Sequence, residues 1–174
     1  MKEILVDKNG YEQFFRKLEE LKEDLTRNAA KGSKAYNNAV GDGWHDNFDF
    51  EETMRKEREI AFRINSMLKE QQQLKIVERK NFVNENFIDI EDTLKILICY
   101  SNDDTEEYNL KLTGKYLPES KNDIQEISLN SPLGKSLYGK NIHKKIFFDI
   151  NDKKVEIIIL EKNGLRNKHI DDII

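Results

Sequence analysis

The chain has 174 residues, of which 36% are charged and 37% hydrophobic, and its formal net charge of −4 fits a soluble protein of one or two small domains. This slightly acidic balance argues against a protein that binds duplex DNA through a strong basic excess. The longest apolar runs, such as residues 157–160, fall far short of the roughly 20 residues that span a bilayer, and residues 1–4 lack a signal-peptide core, so we expect a cytoplasmic protein with no membrane contact.

A long amphipathic helix is predicted between residues 11 and 40. Its apolar side chains recur at intervals of mostly three and four, which places them on one face of a helix. The recurring residues are Tyr11, Phe14, Leu18, Leu21, Leu25, Ala29, Tyr36 and Ala39. The pair Asn9-Gly10 precedes this helix as a start signal, and Gly41-Asp42-Gly43 ends it because glycines favour a turn.

A second amphipathic helix follows the glycine-containing turn. Its apolar residues form two adjoining stripes, the first made of Phe50, Met54, Ala61, Ile64 and Leu68 and the second of Ile60, Met67 and Leu74. The short connection between the helices predicts an antiparallel pair, because neither helix can bury its stripe alone. We therefore expect a coiled-coil hairpin domain at residues 1–78, with an acidic tip near residues 41–49.

The second half of the chain has the character of a β domain. After a predicted linker at residues 79–88, runs rich in β-branched residues alternate with turn-forming clusters. The predicted strands are residues 93–98, 108–112, 127–129, 145–150 and 155–160. One short helix begins at Ser131-Pro132 and ends at Gly139. The sequence thus predicts an α+β fold, with a small antiparallel-sheet domain at residues 89–174.

Charge is distributed unevenly along the hairpin. No lysine or arginine lies between Lys34 and Arg55, whereas this interval contains the acids Asp42, Asp46, Asp49, Glu51 and Glu52. Conversely, residues 25–41 contain no acid, and Arg27, Lys31 and Lys34 share one helix face at positions i, i+4 and i+7. The hairpin is therefore predicted to carry an acidic tip beyond a cationic face.

Two explanations fit the tip acids. Some of them complement the positive amino end of the second helix, where Asp46 or Asn47 would serve as the cap. Alternatively, Asp42 and Asp46 supply carboxylate oxygens to Mg²⁺, which typically takes one or two protein carboxylates and fills its other positions with water or phosphate. Two such aspartates make an incomplete site, which a partner and a nucleic-acid phosphate would complete.

Two segments together resemble the signatures of the bacterial Gre-type transcript cleavage factors. Residues 41–50, with the sequence GDGWHDNFDF, are similar to the family's Gly-Asp-x-x-Glu-Asn-x-Glu-Tyr motif. Residues 131–140, with the sequence SPLGKSLYGK, resemble its Ser-Pro-Leu-x-x-Ala-Leu-x-Gly-Lys motif. Both segments occur in the family's order, and the resemblance covers nearly the whole chain.

The resemblance implies a transcription elongation factor whose hairpin enters the secondary channel of bacterial RNA polymerase, with an FKBP-like carboxyl-terminal domain docked at the channel rim. Such a protein is no enzyme itself. It stimulates the polymerase to cut backtracked RNA with Mg²⁺ that the two proteins share, and it meets the RNA 3′ end inside the complex as a monomer. An alternative is a channel-occupying inhibitor of the same fold, and a third possibility is an unrelated coiled-coil adaptor.

The resemblance also assigns residue roles by position. Asp42 and Asp46 carry the metal role. Tip support falls to Asn47, Asp49 and Phe50, while Trp44, which the family tip lacks, is predicted either to cover the last turn of the tip or to stack on RNA or polymerase groups. The charge pattern adds Arg27, Lys31 and Lys34, for which the alternatives are a solvated helix face and contact with RNA or polymerase; given the resemblance, we expect contact for at least one of the three. Pro132 and Leu133 lie in the implied polymerase-docking loop.

Overall fold

In the computed structural model, the described residues are 3–37, 48–80, 86–100, 104–119, 123–150 and 153–168. They contain three helices and eight strands. In chain order, these elements are β1 (Ile4–Val6), α1 (Lys8–Asn37), α2 (Phe48–Gln71), β2 (Leu74–Ile76), β3 (Thr93–Cys99), β4 (Thr105–Thr113), β5 (Gln125–Ser128), α3 (Pro132–Leu137), β6 (Ile146–Ile150), β7 (Lys153–Lys162) and β8 (Leu165–Arg166). None of the helices within those ranges has an apolar stretch long enough to cross a membrane.

The chain divides into two compact units. The first comprises Met1–Glu3 and Glu12–Leu74, and the second comprises Ile4–Tyr11 and Lys75–Ile174. The division after Leu74 precedes the predicted linker at residues 79–88, of which residues 81–85 lie outside the described ranges. The order of two long helices followed by a sheet with one short helix confirms the predicted α+β class.

The first unit contains most of α1 and all of α2. Phe14 and Leu18 of α1 and Ile64 and Met67 of α2 are buried, as their helical spacing predicts. Ala29, in contrast, is exposed, and its neighbour Asn28 takes the buried position. Burial of this asparagine is possible because its side-chain amide finds a hydrogen-bond partner on the facing helix.

Helix α1 begins three residues earlier than its apolar pattern predicts. The carboxylate of Asp7 accepts a hydrogen bond of 2.6 Å from the backbone N–H of Gly10, and the Asp7 carbonyl accepts another from Tyr11. Asp7 therefore caps the helix, and Asn9-Gly10 lies inside its first turn instead of before it. Gly10 fits there because a β-carbon would lie 2.1 Å from the carbonyl oxygen of Gly114.

The second unit is built on a sheet with the strand order β5-β4-β3-β7-β6, and β8 pairs with the end of β7. Strand β3 alternates strictly between buried and half-buried residues, so one face of the sheet packs into the main core. The sequence pattern predicts an antiparallel sheet, but in the structure β5 runs parallel to β4. This correction reflects the connection between these strands, which returns β5 to the same direction instead of forming a hairpin.

Three short strands have no counterpart in the predicted elements. Strands β1 and β2 pair with each other beside the ends of the two long helices, and β8 pairs with the last residues of β7. Each has only two or three residues, too few to show a period of two in the sequence. The five predicted strands and the short helix are all present, with limits that differ by a few residues.

Candidate functional site

The described end of the helical hairpin shows how the two helices pair. The side-chain amide of Asn28 donates a hydrogen bond of 2.7 Å to the carbonyl of Thr53, and a β-carbon at Gly32 would lie 3.6 Å from that of Thr53. Further along, the rings of Tyr36 and Phe50 lie 5.7 Å apart. Since the α1 residue numbers rise as the α2 numbers fall, the helices are antiparallel. The segment 38–47 therefore connects their neighbouring ends.

The four central residues of the predicted tip lie outside the described residues. They are Asp42, Trp44, Asp46 and Asn47. Their roles, including the shared Mg²⁺ site, stay predictions. The other two, Asp49 and Phe50, lie in the first turn of α2. Asp49 is exposed, where a carboxylate complements the positive helix end, and Phe50 is half-buried beside Tyr36.

The acids next to the tip that the structure describes differ in whether a neighbouring cation already pairs with them. Glu52 accepts a close contact of 2.6 Å from the ammonium of Lys56, and the hydrogen bond from this lysine lowers the pKa of the Glu52 carboxyl. Asp49 and Glu51 are exposed in the first turn of the same helix. Across the described ranges, no three His, Cys, Asp or Glu side chains are grouped to hold a metal ion.

The cationic face of α1 is only partly available. The guanidinium of Arg27 pairs with the carboxylate of Asp24, one turn earlier in the helix. Lys31 and Lys34 are exposed, and neither forms an ion pair with any residue that the structure describes. Within the part of the chain that the structure describes, Lys31 and Lys34 could therefore bind a phosphate directly, whereas Arg27 would have to exchange its partner.

The second predicted surface is the start of α3. Ser131 caps this helix by accepting a hydrogen bond of 3.0 Å from the N–H of Gly134, and its hydroxyl donates to the carbonyl of Ser128. Pro132 is exposed at the first helical position, while Leu133 is half-buried against the core of the unit. A rigid loop thus presents Pro132 to solvent.

Gly134 explains why this loop is so compact. A β-carbon at this position would lie 2.1 Å from the carbonyl oxygen of Ser128, a separation that no side chain tolerates. The chain therefore requires glycine where α3 crosses the end of β5. At the other end of the helix, Gly139 adopts a positive φ of 72°, which ends α3 as predicted.

Asn130 is a residue of this loop that the sequence did not single out. Its side chain forms two hydrogen bonds with the backbone of Leu5 in β1, accepting from the N–H at 2.8 Å and donating to the carbonyl at 2.7 Å. No local pattern predicts this contact, because the two residues are far apart in the chain. The loop that precedes α3 is therefore fastened to the strand that leads into α1.

Searches against family models and against curated proteins found no match. Among solved structures, the chain is similar to GreA factor homolog 1 (Gfh1) of Thermus thermophilus, with 18% identity, a TM-score of 0.39, and coverage of 94% of this chain and 100% of that one. Gfh1 of Thermus aquaticus is 19% identical, with a TM-score of 0.40 and coverage of 94% of this chain and 100% of that one. The elongation factor GreA/GreB from Nitrosomonas europaea is 13% identical, with a TM-score of 0.36 and coverage of 93% of this chain and 98% of that one. At these scores, functional conclusions rest on the residues of this chain.

Proposed function

We propose that the protein is a transcription factor that binds bacterial RNA polymerase and inserts its helical hairpin into the secondary channel. The observation that carries the proposal is the placement of the two signature segments. One contains the connection between the antiparallel helices, and the other forms the capped loop at Ser131 in the second unit. Each unit thus supplies one contact that the resemblance requires, namely a leading tip and a docking loop.

The proposed activity is stimulation of RNA cleavage by the polymerase. Mg²⁺ bound at the polymerase's active centre would supply an activated water and stabilise the leaving oxygen. Asp42 and Asp46 would contribute carboxylate oxygens to this shared site, which suits a cation that keeps few protein ligands. Lys31 and Lys34, which are exposed, would attract the phosphates of the backtracked RNA. The protein itself would act as an accessory factor.

A cleavage assay tests this activity directly. A stalled, backtracked polymerase complex is incubated with Mg²⁺ and the protein, and short 3′ RNA fragments are measured. We expect fragment release with the wild type and none with Asp42→Asn or Asp46→Asn, although both variants still bind polymerase. Asp149→Asn is the matched control, because Asp149 is an exposed aspartate on β6. Equal cleavage by all four proteins would contradict the assigned metal role.

A specific feature of the sequence favours a second candidate, a channel-occupying inhibitor. Asp42 and Asp46 are separated by three residues, whereas the acids of the family signature are separated by two, and the second acid is the shorter aspartate. Such a shift displaces a carboxylate enough to weaken a site that depends on near-contact geometry. The inhibitor would slow nucleotide addition without releasing RNA, and tip substitutions would relieve the inhibition.

A polymerase pull-down distinguishes both candidates from an unrelated adaptor. The two polymerase-binding functions require that the full chain retain core polymerase on a column. Substitution of Pro132 by aspartate should reduce this retention, because it places a charge at the exposed position of the docking loop. Loss of polymerase from the wild-type column itself would overturn the proposed function.

A further inference from the structure

Phe62 lies on the solvent-facing side of α2. Its side chain is 76% exposed, although the helix buries Thr53, Ile64 and Met67 along the opposite face. Phe62 precedes Ile64 by two positions, which turns it about 200° around a helix with 3.6 residues per turn. It therefore cannot share the packing that joins the two helices of the first unit.

The fold gains little from an aromatic residue at this position. Phenylalanine loses side-chain freedom in a helix, so its helix propensity is below that of alanine, leucine or lysine. At a buried site, packing offsets this loss, but Phe62 has almost no such packing. Single exposed apolar residues are ordinary on protein surfaces, so the surroundings of Phe62 must decide whether it has a role.

Those surroundings include two exposed arginines of the same helix. Arg58 lies one turn before Phe62 on the same face, and Arg63 follows it directly. Both are exposed, and neither forms an ion pair or hydrogen bond with any described residue. This differs from α1, where Lys17, Lys22 and Arg27 each pair with a nearby acid. Aromatic residues, phenylalanine included, and arginine are the residue types that protein interfaces enrich relative to the rest of the surface.

We propose that Arg58, Phe62 and Arg63, together called the α2 outer patch, dock on a protein surface of mixed charge on RNA polymerase, which offers carboxylates to the two arginines and an apolar pocket for the ring. This inference rests on the proposed function and adds a third contact to the tip and the docking loop. A protein partner is favoured over RNA because the exposed carboxylate of Glu59 lies one turn before both Phe62 and Arg63. A phosphate backbone would be repelled there, whereas a protein surface of mixed charge would not.

The test measures binding of the full chain to core RNA polymerase that carries no nucleic acid. Phe62→Ser should weaken binding by about tenfold, which is typical when an aromatic anchor is removed from an interface. The double variant Arg58→Glu/Arg63→Glu should also weaken binding, and its defect should shrink at high salt because charged contacts are screened. The Phe62→Ser defect should persist at high salt.

Matched controls come from exposed residues elsewhere. Leu165→Ser removes a side chain that is 69% exposed in β8, and Arg16→Glu reverses an exposed charge on α1. Both should bind as the wild type does. Thermal melts of every variant check that the fold is intact, as expected for exposed positions.

The outcomes separate the two proposals. Failure of the wild type to bind polymerase would overturn both of them. Wild-type binding that Phe62→Ser leaves unchanged would overturn the α2 outer patch alone. A variant that binds polymerase normally but loses affinity for a single-stranded RNA oligonucleotide would also overturn it, and would assign the patch to RNA instead.

Discussion

The side-chain amide of Asn130 holds the backbone of Leu5 through two hydrogen bonds, although 125 positions separate the two residues in the chain. This contact resembles a strand pairing in which a side chain replaces the second strand. It satisfies both polar groups of Leu5 at a half-buried site. Asn130 also lies directly before Ser131, so one residue joins β1 to the loop that begins α3.

Asn130→Ala should therefore destabilise the protein by about 1–3 kcal/mol, because it leaves two partly buried backbone groups without partners. Asn130→Asp should be at least as damaging at neutral pH, since a carboxylate cannot donate to the Leu5 carbonyl. Urea denaturation measures both effects. Asn109→Ala serves as the control, because Asn109 is exposed on β4. A free energy of unfolding unchanged in Asn130→Ala would show that water replaces the contact.

A second prediction concerns Gly134. Its alanine variant should lose about 1–3 kcal/mol of stability or more, because the added methyl group must displace the carbonyl of Ser128. Gly139→Ala meets no atom within 4 Å and suffers only from its positive φ, at about 1–2 kcal/mol. Gly139→Asn should be milder still. Thermal denaturation of the three variants gives the order, and a larger loss at Gly139 than at Gly134 would contradict it.

The third prediction concerns Asp92, whose side chain is fully buried. Its carboxylate accepts hydrogen bonds of 2.7 Å from Arg79 and 2.9 Å from Asn163, and it lies 3.0 Å from the ammonium of Lys162. Only 11% of the Lys162 side chain is exposed. Asp92→Ala would remove the buried carboxylate that faces this ammonium and accepts the hydrogen bond from Asn163, so we expect a loss of about 3–5 kcal/mol.

Two further variants make the Asp92 prediction specific. Arg79→Ala should cost less than about 1 kcal/mol, because 44% of the Arg79 side chain is exposed and water replaces its contact. Replacing both partners, as in Asp92→Leu/Lys162→Met, should recover part of the stability that Asp92→Ala loses. Denaturant midpoints provide the comparison. A double variant less stable than Asp92→Ala would contradict this prediction and would show that the buried pair is net stabilising.

The parts of the fold that the sequence predicts depend on residues close together in the chain, whereas the parts that it does not predict depend on distant residues. Helix periodicity and β-branched runs predicted both long helices, α3 and five strands, because these signals lie within one segment. The parallel direction of β5 and the pairing of β1 with β2 depend on residues far apart in sequence. The same applies to Asn130, whose partner no neighbouring residue reveals.

For the candidate site, the sequence predicts two surfaces but does not show which of their charged groups are already paired with neighbouring side chains. The spacing of Arg27, Lys31 and Lys34 predicts three cations on one helix face. Arg27, however, already forms an ion pair with Asp24. This pairing was readable from the sequence, since the two residues are three positions apart. Glu52 is similarly paired with Lys56 one turn away. Whether a charged side chain can bind a partner molecule thus depends on its neighbours one turn away as much as on the helix face that carries it.

The last prediction concerns the titration of Tyr108. Its hydroxyl donates to the carboxylate of Glu106, as does that of Tyr100 at 2.8 Å. The hydrogen bond to Glu106 raises the pKa of Tyr108 from 10.0 to about 12, and that of Tyr100 rises for the same reason. The stabilisation is therefore complete below pH 10 and is lost as the pH rises toward 12.

Ultraviolet phenolate absorbance follows this titration among the six tyrosines. We expect Tyr100 and Tyr108 to ionise late in the wild type, and Glu106→Gln should make both ionise at lower pH because it removes the carboxylate that raises their pKa. Glu107→Gln is the control, since Glu107 pairs with Lys95 at 2.8 Å instead of with a tyrosine. A late phase that survives in Glu106→Gln would show that a group other than this carboxylate holds the phenolic protons.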